Sequence, residues 1–532
     1  MASLFAALSF TLSVFANLSK TKPVATGSAA KCASLKLNIP NVHLSASTHF
    51  PENATLALTT PQSSLMTSTL PAFCRVQLVI TTNATAGSTA LAEVWLPDAW
   101  NGRSLGVGNG GASGGINVGD LGLIAVNRGF AGMSTDTGHE GNFTDMSFAG
   151  PGDDNAIFDW GSRAFRETIV NGKAIIEQYY RHSINKSYYL GCSSGGRQGL
   201  KEVQEFPEDF DGVVRVVYTF SLSHLQPWSL HMNLLVQPET SDRFIPANLW
   251  TDVIAPEVLN QCDHLDGLSD GIIADPRTCS FRPETLTCRP GQNASTCLTG
   301  TQVFTLKHIY ANYFEANQTF IFNSYYPGGE LGFFNGLVGN APFELGIEWI
   351  QFLVLNDTSF GLFDFSPDIL RLGDEINPGG ANAINPNISG FAGPSHNGKL
   401  IHYVGWADQL ISPGNSVHYY ETVHTFMNEH TNMNIDDFYR LFPGGTGATS
   451  FGAAGDTQPA LANDAQHNIL DAIVRWVEDG VAPGNFTAAH FTNGVAADGV
   501  AFTRPICQYP LSVRFVGGNP DDASSFECAL AT

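Results

Sequence analysis

An α/β fold, with a mostly parallel sheet interrupted by a large insertion, is the class this sequence predicts. Three observations carry it. Strand-like and helical patterns alternate at both ends of the chain. The alternation lapses over residues 218–386, which hold four cysteines and many aromatics. And a strand-like run stops at Gly-Cys-Ser-Ser-Gly, residues 191–195, with a helical pattern directly behind it.

Taken in order, the chain opens on MASLFAALSFTLSVFANLSK. The apolar run from Leu4 to Ala16 is too short to cross a bilayer and reads as a secretory signal over residues 1–16, with Val14-Phe15-Ala16 at the cleavage site. This leader lacks the usual Lys or Arg, and a buried N-terminal helix is the alternative. Ten Asn-x-Ser/Thr sequons, at Asn17, Asn53, Asn83, Asn142, Asn185, Asn293, Asn317, Asn356, Asn387 and Asn485, add to the expectation of a secreted, extracellular glycoprotein. Residues 74–81 and 90–96 alternate like strands of a hairpin or meander. Residues 103–107 form a short strand running into a glycine-rich stretch, 108–115. Residues 161–180 have helical spacing, 187–191 read as a buried strand, and 194–205 as the helix behind it. Alternation resumes with a strand at 399–404, a helix at 415–428, a strand at 437–442, and an amphipathic helix at 467–478 stopped by Gly480 and Pro483. The expected organisation is a catalytic domain from 17–217 and 387–532, with 218–386 as an inserted lid domain.

The 532 residues exceed one compact core. With 26 Lys and Arg against 49 Asp and Glu, the net charge of −23 argues against a nucleic-acid partner and against anionic membrane surfaces. No other segment is long and apolar enough for a membrane helix. Nine cysteines leave at least one outside intrachain pairs. Local spacing suggests Cys262 with Cys279, Cys288 with Cys297, and Cys507 with Cys528; Cys32 with Cys74 would tie down the N-terminus. That assignment leaves Cys192, although spacing alone does not fix any pair.

Residues 191–195 match G-x-S-x-G. A strand turning sharply into a helix holds Ser193 in a strained conformation with its hydroxyl exposed, and side chains two residues either way would clash. The Ser194 N–H, opening the helix, can donate to an oxyanion. A second donor is expected from the Gly108-Asn-Gly-Gly111 turn, at Gly110. The acid is expected in the loop after the 399–404 strand, where Asp408 precedes a Ser412-Pro413 helix start. A base should follow the 437–442 strand, but residues 442–455 contain no histidine. The next one is His467, the remaining candidate for the catalytic role; a histidine opening an amphipathic helix is more often structural.

GCSSGGRQGL, GWADQLISP, STDTGH at 134–139, CDHLDGLSDGI at 262–272 and the closing helix followed by GVAP together resemble the fungal tannase and feruloyl esterase family, over about residues 32–528. The resemblance implies an α/β-hydrolase with a large lid, cleaving esters of plant phenolic acids. It assigns Ser193 as nucleophile and Asp408 as acid. It further implies a disulfide between Cys192 and a cysteine directly after the catalytic histidine, pulling the two catalytic residues together. The family's loop reads Pro-Gly-x-Gly-His-Cys; here FYRLFPGGTGATSFG carries no His-Cys pair. A short deletion between about Pro443 and Gly447 accounts for this and for the odd cysteine count; it is either a gene-model artefact or the mark of an impaired enzyme.

In residues 262–272 three aspartates surround two glycines. By spacing alone a solvated acidic turn is as good a reading as a hard-cation site. By resemblance the loop binds a structural Ca²⁺ through the side chains of Asp263, Asp266 and Asp270 and the carbonyls of Leu268 and Ile272. The expected partner is a phenolic ester or feruloylated polysaccharide, met by a monomer or homodimer; galloyl esters, or binding without catalysis, are the alternatives.

Overall fold

The computed structural model describes residues 23–150, 153–216, 220–444 and 461–531. Contacts divide the chain into two units, 1–215 with 378–381 and 390–398, and 216–377 with 382–389 and 399–532.

In the first unit the longer strands are β1 (Val42–Phe50), a hairpin of β2 (Leu56–Thr59) and β3 (Ser64–Thr67), β4 (Phe73–Asn83), β5 (Ser88–Pro97), β6 (Arg103–Val107), β7 (Ala131–Thr135), β8 (Lys186–Cys192) and β9 (Gly212–Val216). Apart from the separate hairpin they share one mixed sheet, in the order β9-β8-β6-β7-β5-β4-β1. β8 pairs in parallel with β6 and β6 with β7, whereas β7, β5, β4 and β1 are joined antiparallel. The pairing follows side-chain patterning. β4 alternates buried and half-buried residues, which suits a ribbon with one covered face. Residues 187–191 of β8 are buried on both faces, as a central parallel strand must be. Helix α1 (Ala164–Tyr180) packs Phe165, Ile169, Ile175, Ile176 and Tyr179 inward, and ends at Arg181 in the left-handed region (φ 54°). Helix α2 (Ser194–Glu205) follows β8 directly.

In the second unit α3 (Leu222–Val236) and α4 (Ala255–Cys262) lie in the stretch where the sequence showed no alternation. Aromatic packing replaces periodicity there: Tyr325 and Phe333 stack at 4.0 Å, and Trp228 lies 4.9 Å from Phe322. Strand β10 (Lys399–Gly405) pairs in parallel with β11 (Tyr439–Gly444), from Leu400 opposite Tyr439 to Gly405 opposite Gly444. Between them runs α5 (Pro413–His430), started by Ser412 and Pro413. Helix α6 (Ile469–Asp479) begins two residues later than its periodicity predicts, because the Asn468 side chain accepts from the N–H groups of Leu470 and Asp471 and caps it. His467 therefore lies outside the helix. Two antiparallel pairs close the chain, β12 (Asn485–Phe491) with β13 (Val500–Cys507) and β14 (Leu511–Phe515) with β15 (Phe526–Leu530).

Disulfides join Cys32 to Cys74, Cys262 to Cys279, Cys288 to Cys297 and Cys507 to Cys528. Cys192 belongs to none of these four. Among the described residues no helix is long and apolar enough to cross a membrane.

Candidate active site

At the end of β8 the chain turns through Ser193, whose φ of 57° and ψ of −125° are strained for any side chain but glycine. Ser193 and Ser194 are half-buried. The turn closes only because its flanks are glycine. A Cβ on Gly191 would lie 2.6 Å from the Gly195 carbonyl carbon, and one on Gly195 would lie 3.0 Å from Asn109 O. The first bond within α2 runs from Arg197 N–H to Ser193 O at 3.2 Å, so the N–H groups of Ser194, Gly195 and Gly196 precede the helical ladder. That end of a helix favours negative charge.

The glycine-rich loop after β6 runs beside this turn. Ser194 Oγ donates to Gly111 O at 2.8 Å. The Gly108 N–H donates to Leu190 O, that of Asn109 to Gln198 Oε1, and that of Gly110 to Gln62 Oε1 at 3.0 Å. Ala112 donates to Phe143 O, Ser113 to Gly110 O and Gly114 to Gly141 O. From Gly108 to Gly114, among the described residues, only the Gly111 N–H meets no acceptor. The sequence pointed to Gly110 as the second donor; in the structure that N–H is held by Gln62. Nothing local in the sequence signals the Gln62 contact, because it comes from a separate hairpin.

His139, in the STDTGH stretch, braces the same loop. Its Nε2 lies 2.8 Å from Ala112 O and its ring stacks on Phe148 at 3.7 Å. Burial lowers its pKa below the usual 6.5, which favours the neutral imidazole. Nearby Asp136 accepts from Gly138 N–H at 2.7 Å and Leu91 N–H at 2.9 Å. Burial, with the charge of Asp159 adding to it, pushes its pKa from 3.8 to about 7. The folded state thus holds a proton that the unfolded chain releases, so stability falls as pH rises from about 4 to 7. Asp136→Asn keeps both acceptor bonds and removes the titration. Thermal denaturation at pH 4 and pH 7 should show the variant gaining on the wild type at pH 7, by on the order of 2–4 kcal/mol. Parallel pH profiles for the two proteins would refute this.

In the second unit Asp408 follows β10. Its Oδ1 accepts from the N–H groups of Leu410 and Ile411, each at 2.8 Å. The residue is half-buried, and loss of water lifts its pKa from 3.8 to about 6 against the pull of those two donors. Among the described residues no imidazole bonds to it. His467 faces Asp464 instead, with Nδ1 2.8 Å from Oδ1. The structure therefore does not bring Asp408 and His467 together. The expected deletion point borders and enters residues 445–460, which lie outside the described residues.

The acidic loop is held by its own backbone. Asp263 accepts from Gly271 and Ile272 N–H, Asp266 from Leu268 N–H, and Asp270 from Ile272 N–H. Asp270 also pairs with Arg504 at 2.5 Å. Burial, then the charges of Asp270 and Asp263, raise Asp266 to about 6. Among the described residues no three acidic, His or Cys side chains converge as a finished cage. The donors nevertheless fit a hard divalent cation in kind, being carboxylates crowded enough to oppose one another's charge.

The chain matches the family described as tannase and feruloyl esterase over residues 74–344 and 375–529. A probable feruloyl esterase B-2 of Aspergillus oryzae is 35% identical over 507 residues, covering 93% of this chain and 94% of that protein. The crystal structure of feruloyl esterase B from Aspergillus oryzae superimposes with a TM-score of 0.86 at 33% identity, covering 94% of this chain and all of that one. A tannin acyl hydrolase from Aspergillus niger shares the fold, at a TM-score of 0.72 and 23% identity over 95% of each chain.

Proposed function

This chain belongs to the tannase and feruloyl esterase family, an α/β-hydrolase of the carboxylic ester hydrolase type, and from that premise we propose that it is a secreted esterase acting on hydroxycinnamoyl esters of plant cell-wall polysaccharides. Ser193 is the nucleophile and forms an acyl-enzyme. The strained turn that presents its hydroxyl carries the reading. Attack on the ester carbonyl moves negative charge onto the carbonyl oxygen. The N–H of Ser194 receives that charge from the helix side, and the open N–H of Gly111, rather than the Gln62-bound one of Gly110, receives it from the loop. Asp408 takes the role of the acid. The base is the incomplete part: without a histidine served by Asp408, the Ser193 hydroxyl is a weak nucleophile.

The chain should therefore accelerate methyl ferulate hydrolysis only by the residual roughly 10³- to 10⁴-fold that an oxyanion site and binding supply. A panel of methyl ferulate, methyl caffeate and methyl gallate tests the substrate class. Preference for gallate would move the assignment to the tannase side of the family, and no acceleration over buffer would overturn the esterase reading.

Ca²⁺ is proposed as a structural ion of the acidic loop. Asp263, Asp266 and Asp270 would hold it with the Leu268 and Ile272 carbonyls, and the bridge from Cys262 to Cys279 braces the same segment. The ion neutralises crowded carboxylates and takes no part in ester cleavage. Chelation with EGTA should lower Tm by several degrees and re-addition of Ca²⁺ restore it. An unchanged Tm would remove the ion from the assignment.

A further inference from the structure

The β2–β3 hairpin is joined by the turn Thr60-Pro-Gln-Ser63, and its tip lies on the loop that carries the oxyanion donor. Thr60 Oγ1 donates to Ile116 O at 2.8 Å, and Ser63 Oγ accepts from Gly119 N–H at 3.1 Å. Pro61 packs closely on Gly115, where an added Cβ would lie 3.0 Å from its Cδ. Between these ties Gln62 Oε1 takes the Gly110 N–H at 3.0 Å. The turn is itself fixed, by Thr60 N–H to Ser63 O at 2.9 Å and by Ser63 N–H to Thr60 Oγ1 at 3.1 Å.

Two successive glycines make the loop soft, since neither carries a Cβ to restrict its peptide planes. Each plane is instead held by hydrogen bonds. The 110–111 plane is held through Gly110 O, which accepts from Ser113 N–H at 3.1 Å. The 111–112 plane is held at both ends, through Gly111 O by Ser194 Oγ and through the Ala112 N–H by Phe143 O. The N–H of the 109–110 plane has Gln62 alone.

We propose that Gln62 is a positioning residue: from the hairpin tip its amide oxygen holds the Gly110 peptide, and so leaves the Gly111 N–H as the loop's donor to the developing oxyanion. The assignment rests on the ester-hydrolase reading above. It makes Gln62 act through the loop rather than on the substrate, so its loss should appear in kcat and not in KM.

The test compares Gln62→Met, which keeps length and removes the acceptor, with Gln62→Glu, which keeps an acceptor. Two readouts are taken on the full chain: kcat and KM on methyl ferulate, and hydrogen exchange of the peptide spanning the 108–119 loop. Gln62→Met is expected to cut kcat by about 10- to 100-fold, a fraction of what losing a whole oxyanion donor costs. KM should stay within about twofold and Tm should barely move. One loop amide should exchange at least about tenfold faster in Gln62→Met and stay slow in Gln62→Glu. A Met variant with unchanged kcat, with a KM effect alone, or with wild-type exchange overturns the proposal. If the unaltered chain accelerates no phenolic ester, the functional reading falls, and the exchange comparison still decides whether Gln62 holds Gly110.

Discussion

Inserting Xaa-Gly-His-Cys between Gly444 and Gly445, which restores the Pro-Gly-x-Gly-His-Cys spacing of the family, is expected to raise kcat on methyl ferulate by roughly 10²- to 10⁴-fold, the usual contribution of a positioned base. A serine hydroxyl needs its proton removed as it attacks, and Asp408 has no imidazole to orient among the described residues. The inserted cysteine would give Cys192 the partner that the resemblance implies. Three controls make the result specific. In the restored chain Ser193→Ala should return the rate to that of the unaltered protein. Cys192→Ser should lose part of the gain, and so should reduction of the disulfide. His467→Ala should change little, because its ring is engaged by Asp464. Brisk turnover by the unaltered chain, abolished by His467→Ala, would show that the base has been misassigned.

Gly191→Ala should be strongly destabilising, costing on the order of 3 kcal/mol. The added carbon would lie 2.6 Å from the Gly195 carbonyl carbon and closer still to Tyr189 Oη. Neither neighbour can give way. Gly195 is backbone whose carbonyl accepts from the Tyr189 hydroxyl, and Tyr189 is buried between Phe165, 5.4 Å away, and Phe210, 5.5 Å away. Gly300→Ala is the matched control. It opens a helix capped by Thr299, with nothing within 4 Å of the new carbon, and should be neutral or slightly stabilising. Chemical denaturation of the two variants checks the difference; equal midpoints would show that the elbow relaxes freely.

Much of the fold was legible because burial leaves a period in the sequence. The strands at 73–83 and 88–97, the short strand at 103–107 and the helix at 194–205 all follow from alternation or helical spacing. What escaped did so for physical reasons. β1 is rich in Ser, Thr and His and never fully buried, so its pattern is faint. The C-terminal ribbons are short and held by cross-strand pairing and the Cys507–Cys528 bridge rather than by a long apolar face. In the site, Ser193 was legible because a strained elbow demands glycine on both sides, a local requirement. The choice between Gly110 and Gly111 was not, because it depends on an acceptor 48 residues away in sequence. His467 read as part of a helix because periodicity does not distinguish a cap from the residue before it; the Asn468 side chain decides that boundary.

Tyr189 gives the glycine pattern a different meaning. Its hydroxyl donates to Gly195 O, and its ring or oxygen occupies the space that a Cβ on Gly108, Gly191 or Gly199 would need. Gly199 is the imprint of that phenol alone, since all three atoms nearest its added carbon belong to Tyr189, whereas Gly108 and Gly191 also face the Gly195 backbone at 2.6 Å. A lineage that shrank the side chain at 189 would release position 199 and leave 108 and 191 locked by the elbow itself. Positions 189 and 199 should accordingly be traded as a pair, while the other two glycines answer to the turn that carries the serine.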